Sequence, residues 1–143
     1  MKKLLIAAWL CGSVFVICVH AQNPRPVTAR EANGVYSSYD NTIRILALGN
    51  NKLKVQFDGV YHTMSKSVNT GSASGEATIV DNVAVFELPE FGQCKITMVF
   101  LRRSRLKVTQ EGDSPDCGFG HNVRADGTYR KIRSGKPKFE PPP

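Results

Sequence analysis

From Pro26 to Pro137 the chain is cut by Gly and Asn into short stretches rich in Val, Ile, Tyr, Phe and Thr, with only Pro89 and Pro115 between. That punctuation leaves no room for long helices. β-Branched and aromatic residues suit a pleated, half-buried surface, and Gly and Asn supply the backbone angles of tight turns. Strands are predicted over Gly34–Tyr39, Thr42–Leu48, Lys52–Val60, Glu76–Val80, Val83–Leu88, Lys95–Leu101, Arg105–Glu111 and Gly127–Ile132. Leu53, Val55 and Phe57 alternate with Lys54, Gln56 and Asp58, and Leu106 and Val108 with Lys107 and Thr109, so one face of each strand is expected in water. Asp81-Asn82 reads as a two-residue hairpin turn and Gly49-Asn50-Asn51 as a slightly longer one, which makes neighbouring strands antiparallel.

An eight-stranded meander has two edges to protect, and closure into a barrel removes both. The first and last strands begin alike, Gly34-Val35-Tyr36 and Gly127-Thr128-Tyr129, as expected if they meet at the closure. The fold class is therefore all-β, a single antiparallel meander closing into a small barrel, with an open two-layer sandwich as the alternative. Thr28-Ala29-Arg30-Glu31 carries a capping-box pattern, and Asn33-Gly34 can end a helix one turn later, so a short helical turn is expected in the lead-in 22–33. The segment His62 to Gly75, poor in large apolar residues, reads as a surface loop over a barrel mouth. Beyond the domain 34–132, the segment 133–143, Ser-Gly-Lys-Pro-Lys-Phe-Glu-Pro-Pro-Pro after Arg133, reads as an extended, mobile, basic tail.

The N-terminus has the layout of a secretory signal: Met1-Lys2-Lys3, an apolar stretch from Leu4 to Val19, and Val19-His20-Ala21 as the cleavage site. The apolar stretch is too short for a membrane span, so no integral membrane segment is expected. Cleavage after Ala21 makes the protein periplasmic or secreted, leaves about 122 residues for one domain, and removes Trp9, Cys11 and Cys18. Cys94 and Cys117 remain, and in an exported chain an isolated pair is most simply a disulfide. Loss of Lys2 and Lys3 takes the formal charge from +7 to +5. A moderately basic exported monomer suits an anionic envelope component or an acidic protein as partner.

No catalytic signature is present. The two histidines left, His62 and His121, lack further ligands at metal spacing, and no Ser or Cys sits in a nucleophile motif. No cofactor is called for, and the chain is read as a binding protein, not an enzyme. Arg102, Arg103, Arg105 and Lys107 crowd one hairpin tip, and Arg130, Lys131, Arg133, Lys136 and Lys138 crowd the C-terminal end. Nucleic-acid binding would ask for aromatics interleaved with the cations, and export argues against it. Cys117-Gly118-Phe119-Gly120-His121 reads as a tight corner with Phe119 buried, or else as a backbone cradle for an anion with His121 beside it. The candidate binding residues are Arg102, Arg103 and Arg105, with His62 and His121.

The stretch Gly92-Gln93-Cys94-Lys95-Ile96-Thr97-Met98, then Leu106 to Gly112, Cys117-Gly118-Phe119-Gly120 and Gly127-Thr128-Tyr129-Arg130-Lys131, resembles the small β-barrels of secreted bacterial proteins in the lysozyme-inhibitor-like families. The resemblance covers about the C-terminal third of the chain. It implies a barrel that works by binding a protein, as an inhibitor or protective factor of the envelope. The basic charge departs from the acidic face expected of an inhibitor facing a basic lysozyme. The helical turn before Gly34-Val35-Tyr36 is also similar to lipocalin-like, or calycin-like, barrels, with Tyr36 where Trp is usual, and implies instead a carrier of a small apolar ligand.

Overall fold

The structure, a computed structural model, describes residues 25–141; the signal segment 1–21 lies outside the described residues. Eight strands follow one another: β1 Gly34–Ser38, β2 Asn41–Gly49, β3 Lys52–His62, β4 Val68–Val80, β5 Val83–Leu88, β6 Cys94–Leu101, β7 Arg105–Glu111 and β8 Gly127–Ser134. Each pairs antiparallel with the next, and β8 pairs with β1, so the meander is a closed barrel. Closure gives every strand a neighbour on both sides, although β4 meets β5 only over Ala77–Val80.

The helical turn forms where the capping box demands. Helix α1, Ala29–Ala32, starts at Thr28, whose hydroxyl accepts from the Glu31 N–H while the Glu31 carboxylate accepts from the Thr28 N–H. Both ends of the closure then repeat one local design. Ala32-Asn33-Gly34-Val35-Tyr36 enters β1 and Ala125-Asp126-Gly127-Thr128-Tyr129 enters β8. Each Tyr hydroxyl donates to the Ala carbonyl four residues back, at 2.9 Å in both copies. Each Asn or Asp side chain accepts the N–H of a residue on the adjoining strand, Ala47 for Asn33 and Gln110 for Asp126. The shared Gly-x-Tyr is thus the visible part of a matched pair of strand anchors.

Alternation places Ile43 and Ile45, Leu53, Val55 and Phe57, Phe86, Ile96 and Met98, Leu106 and Tyr129 inside, all virtually without solvent contact. These side chains meet across the axis in one continuous cluster, so the barrel interior is a packed core. Burial pushes the Tyr129 hydroxyl pKa up to about 12, and raises that of Tyr36 as well.

The segment 62–75 is not a loop. β4 begins at Val68 and pairs with β3 all the way to His62, leaving only residues 63–67 as the connection. The predicted strand Glu76–Val80 is its second part; the first part carries no apolar pattern because its inward positions are Gly71, Ala73 and Gly75, too small to register as one. Size is what this wall requires. A Cβ on Gly71 would lie 2.8 Å from Phe119, and one on Gly75 3.0 Å from the Phe86 ring. Large aromatics thus reach the axis opposite a wall of small residues, the interdigitation that close packing needs.

The C-terminal segment also departs from expectation. β8 continues through Ser134, and the residues after it, though extended as expected, lie on the barrel: Pro137 is buried and Glu140 is hydrogen-bonded to Gln56. Arg133 and Ser134 pair in the ladder with Val35 and Gly34, so the tail starts two residues later than its composition suggests, and a Pro-rich composition does not exclude docking through side chains.

Candidate functional site

In an antiparallel meander, alternate connections fall at alternate ends. The helix end carries α1 and the β2–β3, β4–β5 and β6–β7 turns; the disulfide end carries the β1–β2, β3–β4, β5–β6 and β7–β8 connections. The five candidate binding residues divide between them. Arg102, Arg103 and Arg105 belong to the helix end, whereas His62 and His121 belong to the disulfide end.

At the disulfide end Cys94 and Cys117 are bonded, tying the start of β6 to the 3₁₀ turn Pro115–Cys117. Phe119 then turns inward and packs on Phe57 with ring centroids 5.0 Å apart, plugging that mouth. The amides around Phe119 that the anion-cradle alternative calls on are already used. The N–H groups of Gly118, Phe119 and Gly120 donate to the carbonyls of Pro115, Ser114 and Thr70. Glycine is required here: Gly118 has φ +69° with its Cα facing the Phe91 ring, and a Cβ on Gly120 would lie 2.6 Å from the Thr70 oxygen. His121 is exposed, and its carbonyl accepts from the Asn69 side chain. His62 pairs with Asp40 at 3.2 Å, with both side chains largely in solvent. Among the described residues no group of His, Cys, Asp and Glu is assembled that could hold a metal ion.

The helix end is built differently. β6 and β7 are in register up to Leu101 opposite Arg105, so Arg102, Arg103 and Ser104 form the tip. Arg103 and Ser104 both hold positive φ, 60° and 56°, a conformation that Gly or Asn adopts at lower cost. The tip is held in place by neighbours on either side: the Lys131 N–H donates to the Ser104 carbonyl at 2.8 Å, and the Phe100 N–H to the Asn82 carbonyl at 2.8 Å. Across from it, the Val27 N–H donates to Asp81 and the Arg25 guanidinium pairs with Glu31 at 2.7 Å, so the lead-in stands as a facing wall.

Between wall and tip is a cleft of about 460 Å³. Tyr36 and Phe100 contribute apolar surface to it, Arg25, Arg102, Arg103, Arg105 and Lys131 contribute positive charge, and Glu31, paired with Arg25, contributes the one negative charge of the lining. Its size falls within the roughly 300–1,000 Å³ of small-molecule sites. Lys131 reaches over the Tyr36 ring and donates to the carbonyls of Glu31 and Asn33, fastening β8 to α1. Loss of water pushes its pKa below the ordinary lysine value, while the Glu31 charge pulls the other way. Glu31 itself is held down to about 2, first by the Thr28 N–H, then by the Thr28 hydroxyl and Arg25.

Folding unites what the sequence shows as two basic clusters. Arg105 lies directly opposite Arg130 in the β7–β8 ladder, and Lys131 follows it into the cleft. Like charges opposite one another in a sheet are destabilising. No described carboxylate forms an ion pair with Arg102, Arg103, Arg105 or Arg130. Arg25 belongs to this site with no advance sign in the sequence, since the Val27–Asp81 bond and its own ion pair with Glu31 bring it there. Comparison of the chain with family models, curated proteins and solved structures finds no match.

Proposed function

We propose that this chain is an exported, non-enzymatic binding protein of the cell envelope, acting as an inhibitor or protective factor, and that it takes an anionic partner at the helix end of the barrel. One observation carries the reading: Arg102, Arg103 and Arg105 line one cleft, Arg130 borders the adjoining hollow beside Arg103 and Arg105, and no described carboxylate forms an ion pair with any of the four. Guanidinium forks bind carboxylate and phosphate oxygens in pairs, and their summed field accelerates encounter with an anionic surface. The strained Arg103 and the Arg105–Arg130 juxtaposition both cost stability, which supports a role for the cations outside folding. The same basic character sets this chain apart from an inhibitor of basic lysozymes, so the preferred target is an acidic protein or an acidic envelope polymer. A packed interior weighs against the carrier of an apolar ligand.

The test compares wild type with an Arg102→Ala/Arg103→Ala/Arg105→Ala variant on two immobilised probes, poly-glutamate and vesicles containing phosphatidylglycerol, at low and high salt. Wild type is expected to be retained at low salt and released as ionic strength shortens the Debye length to about 8 Å and below, and the variant to be lost at both. Equal retention of the two proteins would remove the hairpin tip from the site.

A further inference from the structure

A second feature, at a different place on the barrel, points to another binding surface. Gln56 sits on β3 between Val55 and Phe57, so its side chain projects outward, yet only 2% of the residue is exposed. What covers it is the chain's own C-terminal segment. The Gln56 carboxamide closes a two-bond clasp on one peptide unit pair: its Oε1 accepts the Glu140 N–H at 2.9 Å and its Nε2 donates to the Glu140 carbonyl at 3.2 Å. Such a clasp reads extended backbone, as an added strand would, whatever side chain stands there.

The side chains around the clasp are read separately. Arg44, on β2, is aimed by an ion pair with Asp58 and meets the Glu140 carboxylate at 3.3 Å. Lys54 places its Nζ 4.5 Å from the centre of the Phe139 ring. Pro137 is buried two residues earlier. Backbone, acid and aromatic each have a place on one face of β2 and β3, which is how a peptide site is organised.

Among the described residues, side-chain contacts and not a ladder hold the occupant. It adds no strand to the barrel, which is closed without it, and Glu140 remains 61% exposed in its ion pair. Gly135, at the exit from β8, has φ +87° and no neighbour within 4 Å of where a Cβ would stand, so the segment leaves the barrel through a residue with no side chain to pack. Release would hydrate Gln56, Arg44 and Asp58 and leave no group buried and unpaired. A few surface contacts set against the conformational freedom of several residues make an element of low local stability.

We propose that the Gln56 face of β2–β3 is a peptide-docking site that its own C-terminal segment occupies in cis, and that it takes from a partner protein an extended segment of the same chemistry, an aromatic residue followed by an acid and flanked by prolines. Prolines suit the occupant because their fixed φ lowers the ordering cost of an extended ligand. The tethered segment competes at an effective concentration in the millimolar range, so only a segment that binds better, or one present when the strap is released, gains the face. This reading is independent of the cationic cleft at the helix end.

The experiment uses the full chain. A Phe139→Ala/Glu140→Ala variant keeps every other residue but loosens the strap, and a fluorescent peptide with the sequence of residues 135–143 is titrated against it by anisotropy. The loosened variant is expected to bind the peptide about tenfold more tightly than wild type, whose face is occupied. Adding Gln56→Ala to the loosened variant should abolish the gain, with circular dichroism showing the barrel intact. A peptide carrying Ala at the positions of Phe139 and Glu140 serves as the specificity control. No difference between wild type and the loosened variant, or unchanged binding after Gln56→Ala, would overturn the proposal and leave the segment a strap in cis only.

Discussion

Removing the Cys94–Cys117 bond is the perturbation whose size follows most directly from the fold. The two cysteines are 23 positions apart and enclose the whole β6–β7 hairpin. In the chain-entropy account, a closed loop of about 24 residues removes about 12 cal/mol/K from the unfolded ensemble, or about 3.4 kcal/mol at 25 °C. A domain of roughly 115 residues melts with an entropy of about 0.24 kcal/mol/K, so the Cys94→Ala/Cys117→Ala variant should melt about 14 °C below wild type. The barrel should survive the loss, because its closure rests on the β1–β8 ladder and the paired Tyr anchors, none of which involves the disulfide. Loosening should concentrate at the plug: Phe119 is held by the turn that Cys117 ends, so amide exchange should rise from Ser114 to Val123 before it rises in β1 or β8. Scanning calorimetry of both proteins, with hydrogen exchange on the variant, measures the two effects. A drop below about 4 °C would refute the closure argument, since packing alone would then account for the bond's contribution. Alkylation of two thiols in unreduced, denatured wild type would refute the bond itself.

Two further expectations are narrower. Gly34→Ala should destabilise by about 1–3 kcal/mol, because the new Cβ would lie 2.4 Å from the Arg133 carbonyl at φ +154°; Gly49→Ala, at φ +90° with open space around it, adds backbone strain without the clash and should cost less in the same urea titration, so equal losses would discount the clash. Because the Glu31 pKa is lowered from 4.5 to about 2, its contribution to stability is complete above pH 4.5 and disappears as pH falls toward 2. A carboxyl-detected NMR titration should place the midpoint near 2 in wild type and closer to 4.5 in Thr28→Ala, and a midpoint already at 4.5 in wild type would mean the capping box does not persist in solution.

Signals carried by neighbours in the chain were legible in advance. The capping box, the Asp81-Asn82 turn, the alternation in β3 and β7 and the matched Gly-x-Tyr starts are contacts between residues close in sequence, or patterns of fixed period, and all of them survive in the barrel. The buried Phe119 corner belongs with these, since glycines on both sides of an aromatic are a local requirement.

Other features became visible only when distant segments met. The first part of β4 reads as a loop because its inward Gly71, Ala73 and Gly75 have no hydrophobic pattern of their own; their smallness acquires meaning only beside Phe119 and Phe86. The cationic hairpin tip and the basic C-terminal strand were separate runs until the β7–β8 register set Arg105 against Arg130, while His62 and His121 were carried to the opposite end of the barrel. Gln56 reads as a solvent-side residue by alternation, and it is outward, but a segment 84 positions away lies over it. Sequence determines how each stretch of chain bends and which face it turns inward, because those preferences are set by dihedral angles and local burial. Which segments then touch is decided by closure of the whole sheet, since contacts between residues far apart in the chain have no energetic trace in either segment alone.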